Sequence, residues 1–152
     1  MKNNGEWQML LGAQTKKYQG VIAIYTSPDL YSWDYRGIYF GNPILDQMCE
    51  CPNLVDFGEE KVLLVCPQKR QIKPDKDISS YSGYFIGRQN KYRFLPENRI
   101  QKLDQGFDFY APQVFTDQLP RINSEVCSSH SFQNSGNSVL RLPPKETTSS
   151  GS

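Results

Sequence analysis

Apolar and polar residues alternate in short runs along the first three quarters of the chain, and the runs read as strands. Trp7, Met9 and Leu11 alternate with Gln8, Leu10 and Gly12, a loose period of two that predicts a strand with its odd-numbered residues on one face. Gly20-Val-Ile-Ala-Ile-Tyr-Thr26 is apolar enough to be a strand buried on both faces. Ser27-Pro-Asp-Leu30 follows it, with proline and short polar side chains setting a tight turn. Further strands are expected over 33–40 and 53–57. Phe57-Gly-Glu-Glu60 then turns the chain into Lys61-Val-Leu-Leu-Val65 as a hairpin. Residues 82–88, 92–95 and 107–115 complete the set.

No stretch places apolar residues at i, i+3, i+4 and i+7 over 12 or so positions, so no substantial helix is expected. Strands of four to seven residues separated by turn signals indicate an all-β sandwich, barrel or propeller. After Asp117 the pattern collapses into Ser, Asn and Pro and ends in TTSSGS. The chain therefore divides into a folded unit, 1–117, and an irregular tail, 118–152. The tail holds too little apolar surface to offset its ordering entropy and is expected to be disordered or non-native.

Composition narrows the function classes. A length of 152 residues suits one domain. Seventeen basic against sixteen acidic residues give a formal charge of +1, so no dedicated nucleic-acid or anionic-membrane surface is expected. No run approaches the roughly 18 to 20 apolar residues of a membrane span, and Met1–Gly12 lacks the apolar core of a secretory signal. Cys49, Cys51, Cys66 and Cys127 match no secreted disulfide framework. A soluble, reducing, cytoplasmic setting is the expectation.

The chemistry concentrates in Met48-Cys-Glu-Cys-Pro-Asn53. A structural zinc site takes four Cys or His ligands, often as two close pairs. Cys49-x-Cys51 is one pair at an unusual spacing, so no metal and no cofactor is expected. The sole histidine, His130, lies in the tail, away from any scaffold that a Ser-His-Asp or Cys-His system needs. Phosphate-binding glycine loops are absent. In an extended segment Cys49 and Cys51 point one way and Glu50 the other, so the thiols pack while the carboxylate projects alone. Pro52, without an N–H, ends the pairing there. A carboxylate lining a cleft is the kind of group that partial desolvation tunes for general-acid work.

Several stretches together resemble glycoside hydrolase family 32, the invertase and sucrose-6-phosphate hydrolase group. They are Trp7-Gln-Met-Leu-Leu-Gly-Ala13, Ile24-Tyr-Thr-Ser-Pro-Asp-Leu-Tyr-Ser-Trp33, Glu50-Cys-Pro-Asn53, Val65-Cys-Pro-Gln68 and Asp104-Gln-Gly-Phe-Asp-Phe-Tyr-Ala-Pro-Gln113. The resemblance covers residues 6–117. It implies a five-bladed β-propeller, of which these residues would form the middle blades, and retaining cleavage of β-fructofuranosides. Retaining enzymes use two carboxyl groups about 5 to 5.5 Å apart, a nucleophile and an acid/base. By motif match Glu50 takes the acid/base role, and Asp108 and Tyr110 are candidate substrate contacts. Lys69, Arg70 and Lys73 are candidates for meeting a phosphate.

The family's nucleophile motif, Asn-Asp-Pro-Asn-Gly, and its Arg-Asp-Pro motif are absent, and position 53 is Asn where many members carry Asp. The resemblance thus implies a fragment with one of three catalytic carboxylates, inactive by itself. Its open sheet edges would invite self-association or the missing blades. The partner expected is a small β-fructoside, with no nucleic acid and no membrane. A non-catalytic carbohydrate-binding or interaction module on the same scaffold is the alternative.

Overall fold

The computed structural model describes residues 1–3, 5–68, 80–105, 109–116 and 122–123. They form an all-β unit of two antiparallel meanders. The first sheet runs β1 (Lys2–Asn3), β2 (Glu6–Gln14), β3 (Gly20–Ser27) and β4 (Asp34–Gly41) in chain order. A single 3-10 turn, Pro43–Leu45, leads to the second sheet. There β5 (Met48–Phe57), β6 (Glu60–Gln68), β7 (Gly83–Asn90) and β8 (Arg93–Pro96) lie in chain order, and β9 (Gln101–Lys102) also pairs with β7. A short ladder of β10 (Phe115–Thr116) on β11 (Ile122–Asn123) crosses the boundary expected at residue 117. Residues 118–121 and 124–152 of the expected tail lie outside the described residues.

The continuous apolar runs behave as their patterns require. Every residue of β3 except Tyr25 is buried, and so are Val62 to Pro67 of β6. Gly58 supplies the hairpin turn, at φ 86°, between the paired residues Phe57 and Glu60. The Ser27-to-Leu30 turn closes as expected. The Ser27 hydroxyl accepts from the Leu30 amide at 2.7 Å, and Asp29 Oδ1 accepts from the Tyr31 and Ser32 amides at 2.9 Å each. Those amides, Ser32 first, hold the Asp29 carboxyl below the usual carboxylate value.

The two sheets meet over one core of Ile22, Ile24, Tyr39, Phe40, Leu63, Val65, Phe85 and Phe94, with Leu45 and Cys49 beneath the crossover. Phe40 stands edge-on to Phe85 and Phe94, at ring separations of 4.9 and 5.6 Å, and pins β4 to the second sheet. Strand β5 lies against β2 so closely that a Cβ on Gly12 would fall 1.9 Å from the Cys49 carbonyl oxygen.

Two expectations, in β5 and over 109–114, need correction, and β2 shows which of its alternating faces packs. In β2 the packed face is the even one: Gln8 is buried and Leu10 packs against the core, whereas Leu11 is exposed. The reason is that the even face is the one that meets the second sheet, and Gln8 finds an amide partner there. Strand β5 begins at Met48, so Glu50 lies inside a strand and not at its end. Residues 109–114, expected as a strand, run without regular secondary structure into Phe115–Thr116.

Candidate active site

Glu50 stands opposite Cys66 in the β5–β6 ladder, and the register slips between Glu50 and Asn53. Cys51 absorbs the extra residue at φ 45°, a left-handed conformation that L residues adopt only at some strain. Strict alternation therefore fails at this point. Cys49 is fully buried as expected, but Cys51 is only half-buried beside the bulge and does not share its core position. Pro52 does not end the strand; pairing resumes at Asn53 with Leu64. Pro67, fully buried, sits just past Val65, where β6 parts from β7, so its missing N–H costs no bond on that side.

The Glu50 side chain meets two others. Gln68 Nε2 and Tyr110 Oη each donate to Glu50 Oε2 at 2.8 Å, and Gln68 Nε2 also donates to Tyr110 Oη at 2.8 Å. The triangle uses each hydrogen once: the amide's two go to the carboxylate and the phenol oxygen, and the phenol's goes to the carboxylate. Both donors converge on Oε2, which leaves Oε1 without a side-chain donor among the described residues.

Tyr110 is held there by its backbone neighbours. Asn53 Nδ2 donates to the Cys51 carbonyl, bracing the bulge, and to the Pro112 carbonyl, both at 3.0 Å. The Val114 amide returns a 3.4 Å bond to Asn53 Oδ1. The Ser82 hydroxyl donates to the Phe109 carbonyl at 3.2 Å. Residues 109–114 are thus fastened by side chains onto β5 and onto Ser82, just ahead of β7, and need no ladder of their own.

Burial, and after it the hydrogen bond to Glu50, pushes the Tyr110 phenol above its ordinary value, against the smaller opposing effect of Gln68. Burial does the same to Tyr39, with a contribution from the Asp56 charge. The neutral phenols are favoured in the fold, so their contribution to stability is complete below the unfolded tyrosine value, near about pH 10, and is lost as pH rises through the folded values. Denaturant titrations across the alkaline range, followed by phenolate absorbance, are expected to show stability falling from about pH 10 upward, with a shallower fall in Tyr110→Phe.

Burial also pushes the Cys49 thiol up to about 12, and raises Cys66 and, with help from the Glu50 charge, Cys51. Of these three, only Cys51 is partly open to solvent. Alkylation of the native chain, mapped by peptide mass, is expected to modify Cys51 well before Cys49 or Cys66. Simultaneous labelling of all three would show that the β5–β6 packing is not closed.

Glu50 and Tyr110, singled out by sequence motif, are thus brought together. Asp108, Lys69, Arg70, Lys73 and His130 lie outside the described residues. Gln68 and Asn53 were not singled out as site residues. The hairpin turn carried a signal for Gln68: counting back from Phe57 and Glu60 pairs it with Cys49, and the bulge moves it to Met48.

Comparison with known proteins agrees with this architecture. Residues 1–132 match the glycosyl hydrolases family 32 N-terminal domain. The chain is 38% identical over 128 residues to a sucrose-6-phosphate hydrolase of Bacillus subtilis, covering 79% of this chain and 26% of that protein. It is 32% identical over 115 residues to a sucrose-6-phosphate hydrolase of Salmonella typhimurium, covering 71% and 25%. The chain thus spans about a quarter of the length of these relatives. Among solved structures, sucrose-6-phosphate hydrolase from Lactobacillus gasseri superposes with a TM-score of 0.68 at 32% identity, over 81% of this chain and 27% of that one. The Bombyx mori GH32 beta-fructofuranosidase BmSUC1 gives 0.66 at 29% identity, over 78% and 26%, and a variant of it has been solved in complex with sucrose. The two meanders are blades of the β-propeller that these enzymes share, and the chain belongs to glycosyl hydrolase family 32.

Proposed function

We propose that these residues supply the acid/base half of a retaining β-fructofuranosidase, with Glu50 as the acid/base and sucrose 6-phosphate as the substrate. The observation that carries the reading is the convergence of Gln68 and Tyr110 on a single oxygen of Glu50. A protonated carboxyl has one carbonyl-like oxygen and one hydroxyl. With Oε2 engaged as the acceptor of two hydrogen bonds, the proton belongs on Oε1, where it can pass to the glycosidic oxygen as the bond to the fructosyl carbon breaks. The resulting carboxylate then takes a proton from the water that attacks the fructosyl-enzyme. Tyr110, its phenol held neutral, remains a donor to Oε2 through both half-reactions.

The choice of the 6-phosphate follows the relatives, which are named for that substrate. A cytoplasmic location goes with it, since sugar phosphates are intracellular chemistry. Among the described residues no helix is long and apolar enough to cross a membrane.

The covalent half-reaction needs a nucleophilic aspartate, which the family resemblance places in an Asn-Asp-Pro-Asn-Gly stretch that residues 1–152 do not contain. The 152-residue chain assayed alone with sucrose and sucrose 6-phosphate is therefore expected to release no hexose. Joined behind a segment that carries that stretch and the Arg-Asp-Pro motif, and completed to the length of its relatives, it is expected to turn over. Hexose release by the chain alone, abolished in Glu50→Gln, would overturn the first expectation; an inert joined chain would overturn the assignment.

A further inference from the structure

Glu50 and Tyr110, bonded to each other across 60 residues of sequence, sit in the same local setting. Each is followed by a left-handed residue and then by a proline. The first run is Glu50, Cys51 and Pro52, with Cys51 at φ 45°; the second is Tyr110, Ala111 and Pro112, with Ala111 at φ 56°. Neither left-handed residue is a glycine, and a proline favours extended backbone in the residue before it. Such conformations cost energy and persist only where the surroundings over-determine them.

One side chain reaches both kinks. Asn53 Nδ2 donates to the Cys51 carbonyl and to the Pro112 carbonyl, at 3.0 Å each, while its Oδ1 accepts from the Val114 amide at 3.4 Å. The amide sits only this way round, since turning it over would set its oxygen against two carbonyl oxygens. Both of its hydrogens are committed to backbone, which leaves Asn53 no donor for a sugar. The Tyr110 segment has other ties, from the Ser82 hydroxyl to the Phe109 carbonyl and from the Ala111 amide to the Cys66 thiol. Those run to Ser82 and β6; Asn53 ties the segment to β5, the strand that carries Glu50.

We propose that Asn53 is a positioning residue for the acid/base reaction: it holds the two kinks against each other and so sets the Tyr110 hydroxyl on Glu50 Oε2. The inference rests on the reading of Glu50 as the acid/base. Asn53 touches none of the reacting atoms and acts through the two backbones. Each functional residue immediately precedes its left-handed neighbour, so relaxing either kink swings the Glu50 or the Tyr110 side chain away from the other. Oε2 then loses a donor, and the proton is no longer directed to Oε1. Asparagine is depleted in strands, yet Asn53 stands opposite Leu64 where β5 resumes its ladder after the bulge. Its use at that position is the amide, which can donate twice and accept once.

Asn53→Leu removes the donors and the acceptor with little change in volume, and Asn53→Ala does so while leaving room for water on the two carbonyls. Titration of the 152-residue chain by tyrosine-resolved 13C NMR reads the local effect. In both variants Tyr110 is expected to titrate lower than in the parent chain, back towards about 10. Tyr39, buried in the core between the sheets, should keep its raised value and so reports that the fold is intact. In the joined and completed protein, Asn53→Leu should lower kcat/KM for sucrose 6-phosphate by about 10²-fold, the scale of a misplacement of about 1 Å. It should leave kcat/KM for the β-fructofuranoside of an acidic phenol nearly unchanged, since that leaving group needs no proton. Glu50→Gln in the same two assays separates the possible failures. Equal losses there would remove the acid/base reading, and this inference with it. A Glu50→Gln that discriminates between the substrates, beside Asn53 variants that lose equally on both or on neither, would overturn this inference alone. So would Tyr110 and Tyr39 titrations that move together, or not at all, in both Asn53 variants.

Discussion

Replacing Glu50 by glutamine is expected to lower kcat by about 10²- to 10⁴-fold, the usual contribution of a positioned acid/base, in a protein that joins this segment to its nucleophile. That is about 2.7 to 5.4 kcal/mol of transition-state stabilisation at 1.36 kcal/mol per tenfold. Glutamine is the informative choice because its amide oxygen can still accept from Gln68 and Tyr110, so the triangle survives and only the transferable proton is lost. Two further readings separate an acid/base from a residue that merely shapes the pocket. A β-fructofuranoside with an acidic phenol as leaving group departs without protonation, so its first step should be nearly unaffected. Azide, which needs no base to attack, should then restore turnover and yield the fructosyl azide. Equal losses with sugar and phenol leaving groups, and no response to azide, would remove Glu50 from the acid/base role.

How much of this site was legible in the sequence depends on the range of each interaction. Glu50 and Tyr110 could be found because each sits in a short local motif, Glu-Cys-Pro and Phe-Tyr-Ala-Pro-Gln. Gln68 required the register of a hairpin whose turn, at Gly58, was recognised, together with a bulge that was not. Asn53 acts on Pro112, 59 residues away, and no periodicity or spacing encodes that contact. The same distinction holds for the fold. Strands β3 and β6 declare themselves as continuous apolar runs, since both of their faces are covered. In β2 the alternation was real, but it did not say which face packs. Gln8 is polar and buried because a partner amide waits on the second sheet, while Leu11 is apolar and exposed. Residues 109–114 looked like a strand because they are aromatic and apolar; side-chain bonds from Asn53 and Ser82 replace the ladder that would have made them one.

The largest effect on stability is expected at Gly12, which lies outside the chemistry. A methyl group there would stand 1.9 Å from the Cys49 carbonyl oxygen, 3.0 Å from its carbon and 3.3 Å from Glu50 Cα. All three are backbone atoms, so no rotamer change relieves the overlap; either β2 or β5 must move. Overpacking of a well-filled core costs about 1–3 kcal/mol and occasionally more, and Gly12→Ala should fall at or above the top of that range, a large share of the about 5–15 kcal/mol that a domain commands. Gly58→Ala is the control. Gly58 has nothing within 4 Å of a Cβ, so only its φ of 86° resists substitution, a penalty of about 1 kcal/mol. Urea unfolding of the two variants beside the parent chain should therefore separate contact from conformation: Gly12→Ala far below Gly58→Ala. Because the displaced segment carries Glu50, Gly12→Ala should also disturb the Glu50–Gln68–Tyr110 triangle, read as a partial reversal of the raised Tyr110 titration. Equal stability of the two variants would mean that β2 and β5 do not approach as closely as the crossover between the sheets requires.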